Sequence, residues 1–436
     1  MKKLKYFLLS GCVLVTTMVT AQKLYFPPTG INDSWETVSP ESLGWCTAEI
    51  DPLLNFLEQE NTKGFIVLKD GKIVIEKYFG TFTKDSLWYW ASAGKSMTAF
   101  LVGQAQEDGF LSINKPSADY LGKGWTSCTS EQEAKITVRH QLTMTTGLDD
   151  RVEDNHCTLD SCLLFLAEPG TRWAYHNAPY TLLEKVLENA TGKDINVYTQ
   201  QKLKSPTGMT GLWATLDYDN VYFSKTRSMA RFGLLVQNGG VWNRDTLLKD
   251  REYFTAMINT SNEINQSYGY LWWLNGKSNH MLPGIQFPFK GSWSPDAPAD
   301  MYAAMGKNGQ ILCIVPSQGL VMVRVGNPGS SPMSEIGAFL CNMIWQKLNA
   351  VICNETAVAD FLVSGDNIRI YPNPSQGQFF VTGYEGDAEI FNSSGLKVWQ
   401  GVVNPGRPIS FSGFQSGIYW LKTRSGTVKF VLQHSE

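Results

Sequence analysis

The chain has 436 residues, of which 43% are hydrophobic and 12% aromatic. That is ample for packed cores and enough for two or three domains. The formal net charge is −3, near balance, so nothing in it argues for a nucleic-acid or acidic-surface partner, and no nucleic acid is expected.

The N-terminus reads as an export signal. Lys2, Lys3 and Lys5 precede an apolar run from Tyr6 to Val19, and Thr20-Ala21-Gln22 offers a small-residue cleavage site. A signal peptide over 1–21 is expected. The run is too short for a confident membrane span, so no transmembrane span is expected in the mature chain. Leu9-Ser10-Gly11-Cys12 leaves a lipoprotein anchored through Cys12 as the alternative. Export permits disulfides. Cleavage after Ala21 leaves seven cysteines, at 46, 128, 157, 162, 313, 341 and 353, so at least one thiol stays unpaired. Cys157 and Cys162 are close enough to close a small loop, or are two buried thiols. The five histidines are scattered and no C-x-x-C occurs. Neither a metal nor a cofactor is implied.

Phe65–Lys69 and Lys72–Phe79 flank Asp70-Gly71, the pattern of a hairpin. "WYWASAGKSMTAF" follows over 88–100. Met97, Phe100, Leu101 and Ala105 recur at helical spacing, predicting a helix from Ser92 to about Asp108 with Gly109 as its stop. The region 130–260 is rich in helical patterns, with "APYTLLEKVLENATGKD" and "SMARFGLLVQNGG" the clearest. Strand patterns return in "YGYLWWLN" and "ILCIVPSQGLVMVRVG", and a last helix is predicted over 332–348. One sheet built from both ends of this region, with helices between, is the expected α/β (α+β) architecture. After a linker over 351–366, seven short strand-like runs from Ile368 to Leu432 alternate with Gly, Asn, Pro and Ser turns. They predict a small all-β, Ig-like sandwich over 367–436.

Gly94-Lys95-Ser96 has the ending of a phosphate-binding loop. The glycine such a loop needs five positions earlier is Tyr89 here, and the intervening residues are bulky. The other reading is Ser92-x-x-Lys95. Positions three apart share a helix face, so a desolvated lysine could take the proton of a serine nucleophile there. Ser92 as a simple helix cap beside a solvated Lys95 is the plainer alternative. Two further stretches bear on the choice. "PGTRWAYHNAPY" holds Tyr175 and Asn177, a hydroxyl suited to proton transfer and an amide suited to binding. "AAMGKNGQILCIVP" brings Gly306-Lys307-Asn308-Gly309-Gln310 into a strand, where the backbone N–H of Gln310 with that of Ser92 could form an oxyanion hole. Packing under a turn and hairpin geometry are the alternatives for Tyr175 and for the glycines.

S-x-x-K, then Y-x-N, then a Lys-x-Gly box, in this order, resembles the serine β-lactamase and penicillin-binding protein superfamily, in its class C, D-peptidase and esterase branch. The resemblance covers about 50–350, within a hydrolase domain taken as 45–350. It extends to "ITVRHQLTMTTGLDD" and to the two helical stretches quoted above. It implies a β-lactamase/transpeptidase-like fold, an antiparallel sheet flanked by helices with a helical subdomain. It also implies Ser92 as acylated nucleophile, Lys95 as its base and Tyr175 as proton relay. Asn177, Lys307, Asn308, Gly309 and Gln310 would bind substrate. The third box reads Lys-Asn-Gly rather than Lys-Thr-Gly, which removes a hydroxyl that holds a penicillin or D-peptide carboxylate. Gly-x-x-Gly-Gln is similar to the branch that includes the 6-aminohexanoate-dimer hydrolases. The expectation is therefore a serine hydrolase of ester or amide bonds acting on a small-molecule or peptide substrate. A β-lactamase, a D-alanyl-D-alanine carboxypeptidase and a non-catalytic cell-wall peptide binder are the alternatives.

The tail has its own resemblance. "IRIYPNPSQGQFFV", "AEIFNSSGLKVWQG" and "ISFSGFQSGIYWLKTRSGTVKFVLQ" resemble the C-terminal sorting domain of type IX secretion in Bacteroidetes. That implies type IX machinery as a partner, and a protein exported across the inner membrane, then secreted or attached to the cell surface.

Overall fold

The computed structural model describes residues 24–30, 34–330, 334, 337–353 and 368–433, apart from 374, 393–395, 405, 412 and 425–426. The expected signal peptide, the Cys12 alternative and most of the linker lie outside the described residues.

Helix α1 (Ile50–Gln59) leads into the hairpin β1 (Thr62–Lys69) and β2 (Lys72–Tyr78). Asp70 and Gly71 make its turn with φ of 49° and 85°, left-handed values that Asp tolerates and Gly prefers. A two-residue strand β3 (Trp88–Tyr89) and helix α2 (Gly94–Glu107) come next, then a run of short helices and loops. Helix α3 (Asn177–Thr191) ends on Gly192 at φ 67°, the left-handed stop its sequence predicts. Strands β4 (Leu212–Leu216) and β5 (Asp219–Ser224) pair, and β5 also carries β3. Helix α4 (Thr226–Gln237) follows.

The remaining strands of the large sheet are β6 (Trp273–Leu274), β7 (Tyr302–Gly306), β8 (Gln310–Val315) and β9 (Leu320–Gly326). Its order is β2-β1-β9-β8-β7-β6, antiparallel throughout. The first and last parts of the region thus meet at the β1–β9 pair, as the strand patterns at its two ends lead one to expect. Strands β8 and β9 are buried along their whole length, because helices cover both faces. That is why they read as unbroken apolar runs rather than alternating ones.

Two predicted elements differ. Only Trp273–Leu274 of "YGYLWWLN" is a strand. Upstream, Leu271 stands at φ 59°, and its carbonyl accepts from Ser96 Oγ at 2.7 Å while its N–H donates to Leu142. The backbone groups a strand would use are taken by neighbours of α2. The last helix, α5 (Gly337–Ile352), runs past the predicted end into the expected linker. A Cys46–Cys353 disulfide and a Cys46 N–H to Val351 hydrogen bond hold that extra turn against the N-terminal segment.

Among the described residues the tail forms seven strands: β10 (Arg369–Tyr371), β11 (Gln378–Thr382), β12 (Gly386–Asn392), β13 (Lys397–Val403), β14 (Ile409–Ser410), β15 (Gly417–Thr423) and β16 (Thr427–Leu432). They make a three-stranded sheet β10-β11-β14 and a four-stranded sheet β13-β12-β15-β16. A core that includes Phe379, Phe411, Leu421 and Phe430 lies between them. The outer face of β15 turns Trp420 to the first domain, where its ring sits 5.8 Å from that of Phe289.

Candidate active site

Strand β5 sets the turn that carries Ser92. The Trp90 N–H donates to the Tyr222 carbonyl at 2.8 Å, and Trp90 Nε1 donates to Ser224 Oγ at 2.7 Å. Ala91 then takes φ 47°, a strained value for a residue with a Cβ. It turns the chain into a short 3-10 segment, Ala91–Ala93, ahead of α2. Ser92 therefore stands in the 3-10 segment that runs directly into the helix rather than inside the helix, half-buried, with Lys95 in the helix's first turn.

Lys95 is 3% exposed. Its Nζ stands 3.1 Å from Ser92 Oγ and donates to Asn177 Oδ1 at 2.9 Å. It lies 3.9 Å above the Tyr180 ring and 5.2 Å from the centre of the Tyr175 ring. Burial pulls the amine from its ordinary 10.5 down to about 7, against the opposing pull of the Asp219 carboxylate. Near neutrality a large share of it is unprotonated.

Tyr175 is stacked on Trp273 with ring centres 5.9 Å apart. Burial raises its hydroxyl's pKa, and a hydrogen bond with Ser92 acts the other way. Asn177 is the first residue of α3, which brings the second motif to the first across 82 residues of sequence. The third stretch arrives through β7. A Cβ on Gly306 would stand 2.3 Å from the Trp90 carbonyl and 3.0 Å from the Ala93 nitrogen. Only a glycine lets the strand end lie against the Ser92 turn.

Ser92, Tyr175, Met305, Gly306 and Lys307 open on one cavity of about 350 Å³. Its other walls are apolar: Trp273, Leu282, Ile285 and, from the tail, Trp420. Asn308, Gly309 and Gln310 are not among the residues lining it. Asn308, at φ 65°, donates its amide to the Tyr89 hydroxyl at 2.7 Å. Gln310 is fully buried and stitches the turn, donating to the Gly326 carbonyl and accepting from the Gly326 N–H. Gly309 packs against Arg324, which donates to the Asn308 and Gly309 carbonyls. Lys307 is exposed. The turn residues build the wall from behind, and its open edge is Gly306 and Lys307.

Cys157 and Cys162 are joined by a disulfide. Beside them lies a group that includes one of the scattered histidines. His156 Nε2 stands 3.1 Å from Asn177 Nδ2, and its Nδ1 stands 2.8 Å from Asp219. No local signal announces this pair, because 63 residues separate its members. The histidine next to the motif, His176, is 2% exposed, and burial lowers it to about 4.

A serine beside a buried lysine, with a phenol and an asparagine amide close by, has the residue types seen in the serine β-lactamases and penicillin-binding proteins. The chain belongs to that class: residues 57–338 match the Beta-lactamase family model. Residues 369–433 match the Secretion system C-terminal sorting domain, and such a tail marks a protein for secretion or surface attachment. An uncharacterised protein of Alkalihalophilus pseudofirmus is 26% identical over 304 residues, 61% of this chain and 84% of that protein. Two solved structures share the fold. A Bacteroides dorei protein, provisionally named a beta-lactamase, has TM-score 0.57 and 17% identity, over 71% of this chain and 99% of that one. A Bacillus anthracis protein, provisionally named a 6-aminohexanoate-dimer hydrolase, has TM-score 0.55 and 18% identity, over 72% and 87%.

Proposed function

We propose that the protein is a secreted serine hydrolase that cleaves ester or amide bonds through an acyl-enzyme on Ser92. The observation that carries this reading is the 3.1 Å approach to Ser92 Oγ of a buried Lys95 amine, whose pKa burial lowers to about 7. Unprotonated Lys95 accepts the Ser92 proton as Oγ adds to the substrate carbonyl. The oxyanion that forms is met by the Ser92 N–H and, at the open edge of β7, by the Lys307 N–H. The latter replaces the Gln310 N–H expected from sequence, because Gln310 is buried behind that edge. The proton passes through Tyr175 to the leaving group, whose departure leaves the acyl-enzyme. Water then adds to the acyl-enzyme carbonyl and gives one proton, through Tyr175, to Lys95; the bond from that carbon to Ser92 Oγ breaks, the carboxylic acid leaves, and Lys95 returns the proton to Ser92.

The apolar walls favour a neutral, apolar acyl group. Asn308 is engaged with Tyr89, which weighs against a substrate held by its carboxylate, as penicillins and D-peptides are. Export across the inner membrane through the N-terminal signal belongs to the same proposal, with the tail as address for the type IX machinery.

The test is a fluorophosphonate probe with mapping of the adduct, alongside hydrolysis of p-nitrophenyl esters of increasing chain length. The adduct is expected on Ser92, and Ser92→Ala is expected to abolish both signals. An adduct elsewhere, or ester hydrolysis that survives Ser92→Ala, refutes the proposal. Faster turnover of nitrocefin or a D-Ala-D-Ala peptide than of any ester would replace the substrate class and keep the chemistry.

A further inference from the structure

Asn177 stands between two sets of partners. Its Oδ1 accepts from Lys95 Nζ at 2.9 Å. Its Nδ2 donates to Asn155 Oδ1 at 3.1 Å and meets His156 Nε2 at 3.1 Å. His156 Nδ1 lies 2.8 Å from the Asp219 carboxylate.

The chemistry of these groups sets the direction of every bond. A carboxylate only accepts, so His156 Nδ1 carries the hydrogen. In the neutral ring Nε2 is then the acceptor, and it can meet only the NH2 end of the Asn177 amide. The amide oxygen is thereby turned to Lys95. We propose that His156 and Asp219 are positioning residues for the acylation described above, on whose reading this inference rests: they lock the Asn177 amide in the orientation that presents its oxygen to Lys95. With one Lys95 N–H held by that oxygen, the lone pair of the neutral amine faces the Ser92 hydroxyl. A flipped amide would offer Lys95 a donor and draw the lone pair away from Ser92.

The scaffold around the pair fits this role. Asn155 and His156 directly precede the small loop closed by the Cys157–Cys162 disulfide. Their segment docks on the first turn of α3, where the Ala178 N–H donates to the Asn155 carbonyl at 2.9 Å. Asp219 opens β5, the strand whose later residues anchor the Ser92 turn. One strand thus registers the nucleophile and the end of the chain that orients its base. The plainer view is a surface ion pair. The two side chains are 44% and 36% exposed, and pairs so exposed contribute little to stability. Their importance here lies in the tautomer they fix for a buried neighbour.

The experiment is a double-mutant cycle on the full chain, read by the rate of Ser92 labelling with a fluorophosphonate and by the thermal unfolding midpoint. His156→Ala is expected to slow labelling about 10–100-fold, with KM for a p-nitrophenyl ester little changed. His156→Gln, which can place an oxygen opposite Asn177 Nδ2, is expected to recover most of the rate. In an Asn177→Ala background, His156→Ala should change neither the rate nor the midpoint, since there is no amide left to orient. Unchanged labelling in His156→Ala, or effects of His156→Ala and Asn177→Ala that simply add, overturns the inference. A wild-type protein that never labels at Ser92 removes the hydrolase reading instead. The midpoint cycle then decides the network alone, non-additive shifts supporting it and additive ones overturning it.

Discussion

Replacing Lys95 by methionine should stabilise the protein by an amount that grows as the pH falls toward neutrality. Methionine has about the same length and carries no charge into the pocket. In the unfolded chain the lysine amine titrates at its ordinary 10.5, whereas in the fold it titrates at about 7. Between those values the unfolded state binds a proton that the folded state does not, so wild-type stability falls as the pH is lowered through the window. Each pH unit costs about 1.4 kcal/mol, and the cost at pH 7 comes to about 4 kcal/mol relative to strongly alkaline solution. Below pH 7 the folded amine is protonated too, and the slope levels. Lys95→Met has no such term. Urea unfolding of both proteins at several values from pH 6 to 10, followed by circular dichroism, measures the difference. Groups common to the two chains cancel in it. The Lys95→Met advantage should widen by several kcal/mol from pH 10 to pH 7, while ester hydrolysis is lost. A difference that stays constant with pH would refute the claim that burial keeps this amine neutral, and with it the base assigned to Ser92.

Tyr175→Phe keeps the ring stacked on Trp273 and removes only the hydroxyl; kcat for a p-nitrophenyl ester should fall roughly 10²–10⁴-fold with the unfolding midpoint little moved. Gly306→Ala puts a methyl group 2.3 Å from the Trp90 carbonyl, so it should lower stability by about 1–3 kcal/mol and slow probe labelling, both read on one preparation. Replacing Cys157 and Cys162 together by alanine opens the small loop that begins directly after His156; labelling of Ser92 should slow several-fold while far-UV circular dichroism is unchanged. The acid limb of kcat/KM against pH should fall near 7, where Lys95 loses its proton; a limb near 10 would point to a solvated amine.

Much of the site was legible because it is built from short, local patterns. Ser92 and Lys95 are three residues apart, a spacing that brings side chains to one face, and Tyr175 and Asn177 share one short stretch of sequence. The seven short strands of the tail were likewise visible, since alternating apolar residues between turn formers are a local signal. Other features had no local signature. Gln310 and Asn308 looked like substrate ligands because they sit in a motif. Their side chains turn instead to Gly326 and Tyr89, brought close only by the β8–β9 pairing and the β3 strand. The Cys46–Cys353 disulfide joins residues 307 positions apart, and Trp420 reaches the cavity from the other domain.

From its sequence alone, the chain declares a two-part molecule, an α/β hydrolase-like region and a β-rich tail, and the residue types its chemistry needs. Periodicity and spacing act over a few residues, and that is the range of the statements they license. Tertiary structure alone decided that Lys95 is buried, that a His156–Asp219 pair stands beside the Asn177 amide that meets it, and that Gly306 and Lys307 rather than Gln310 edge the cavity. Desolvation and hydrogen-bond direction depend on everything packed around a group, and that packing is assembled from segments hundreds of residues apart.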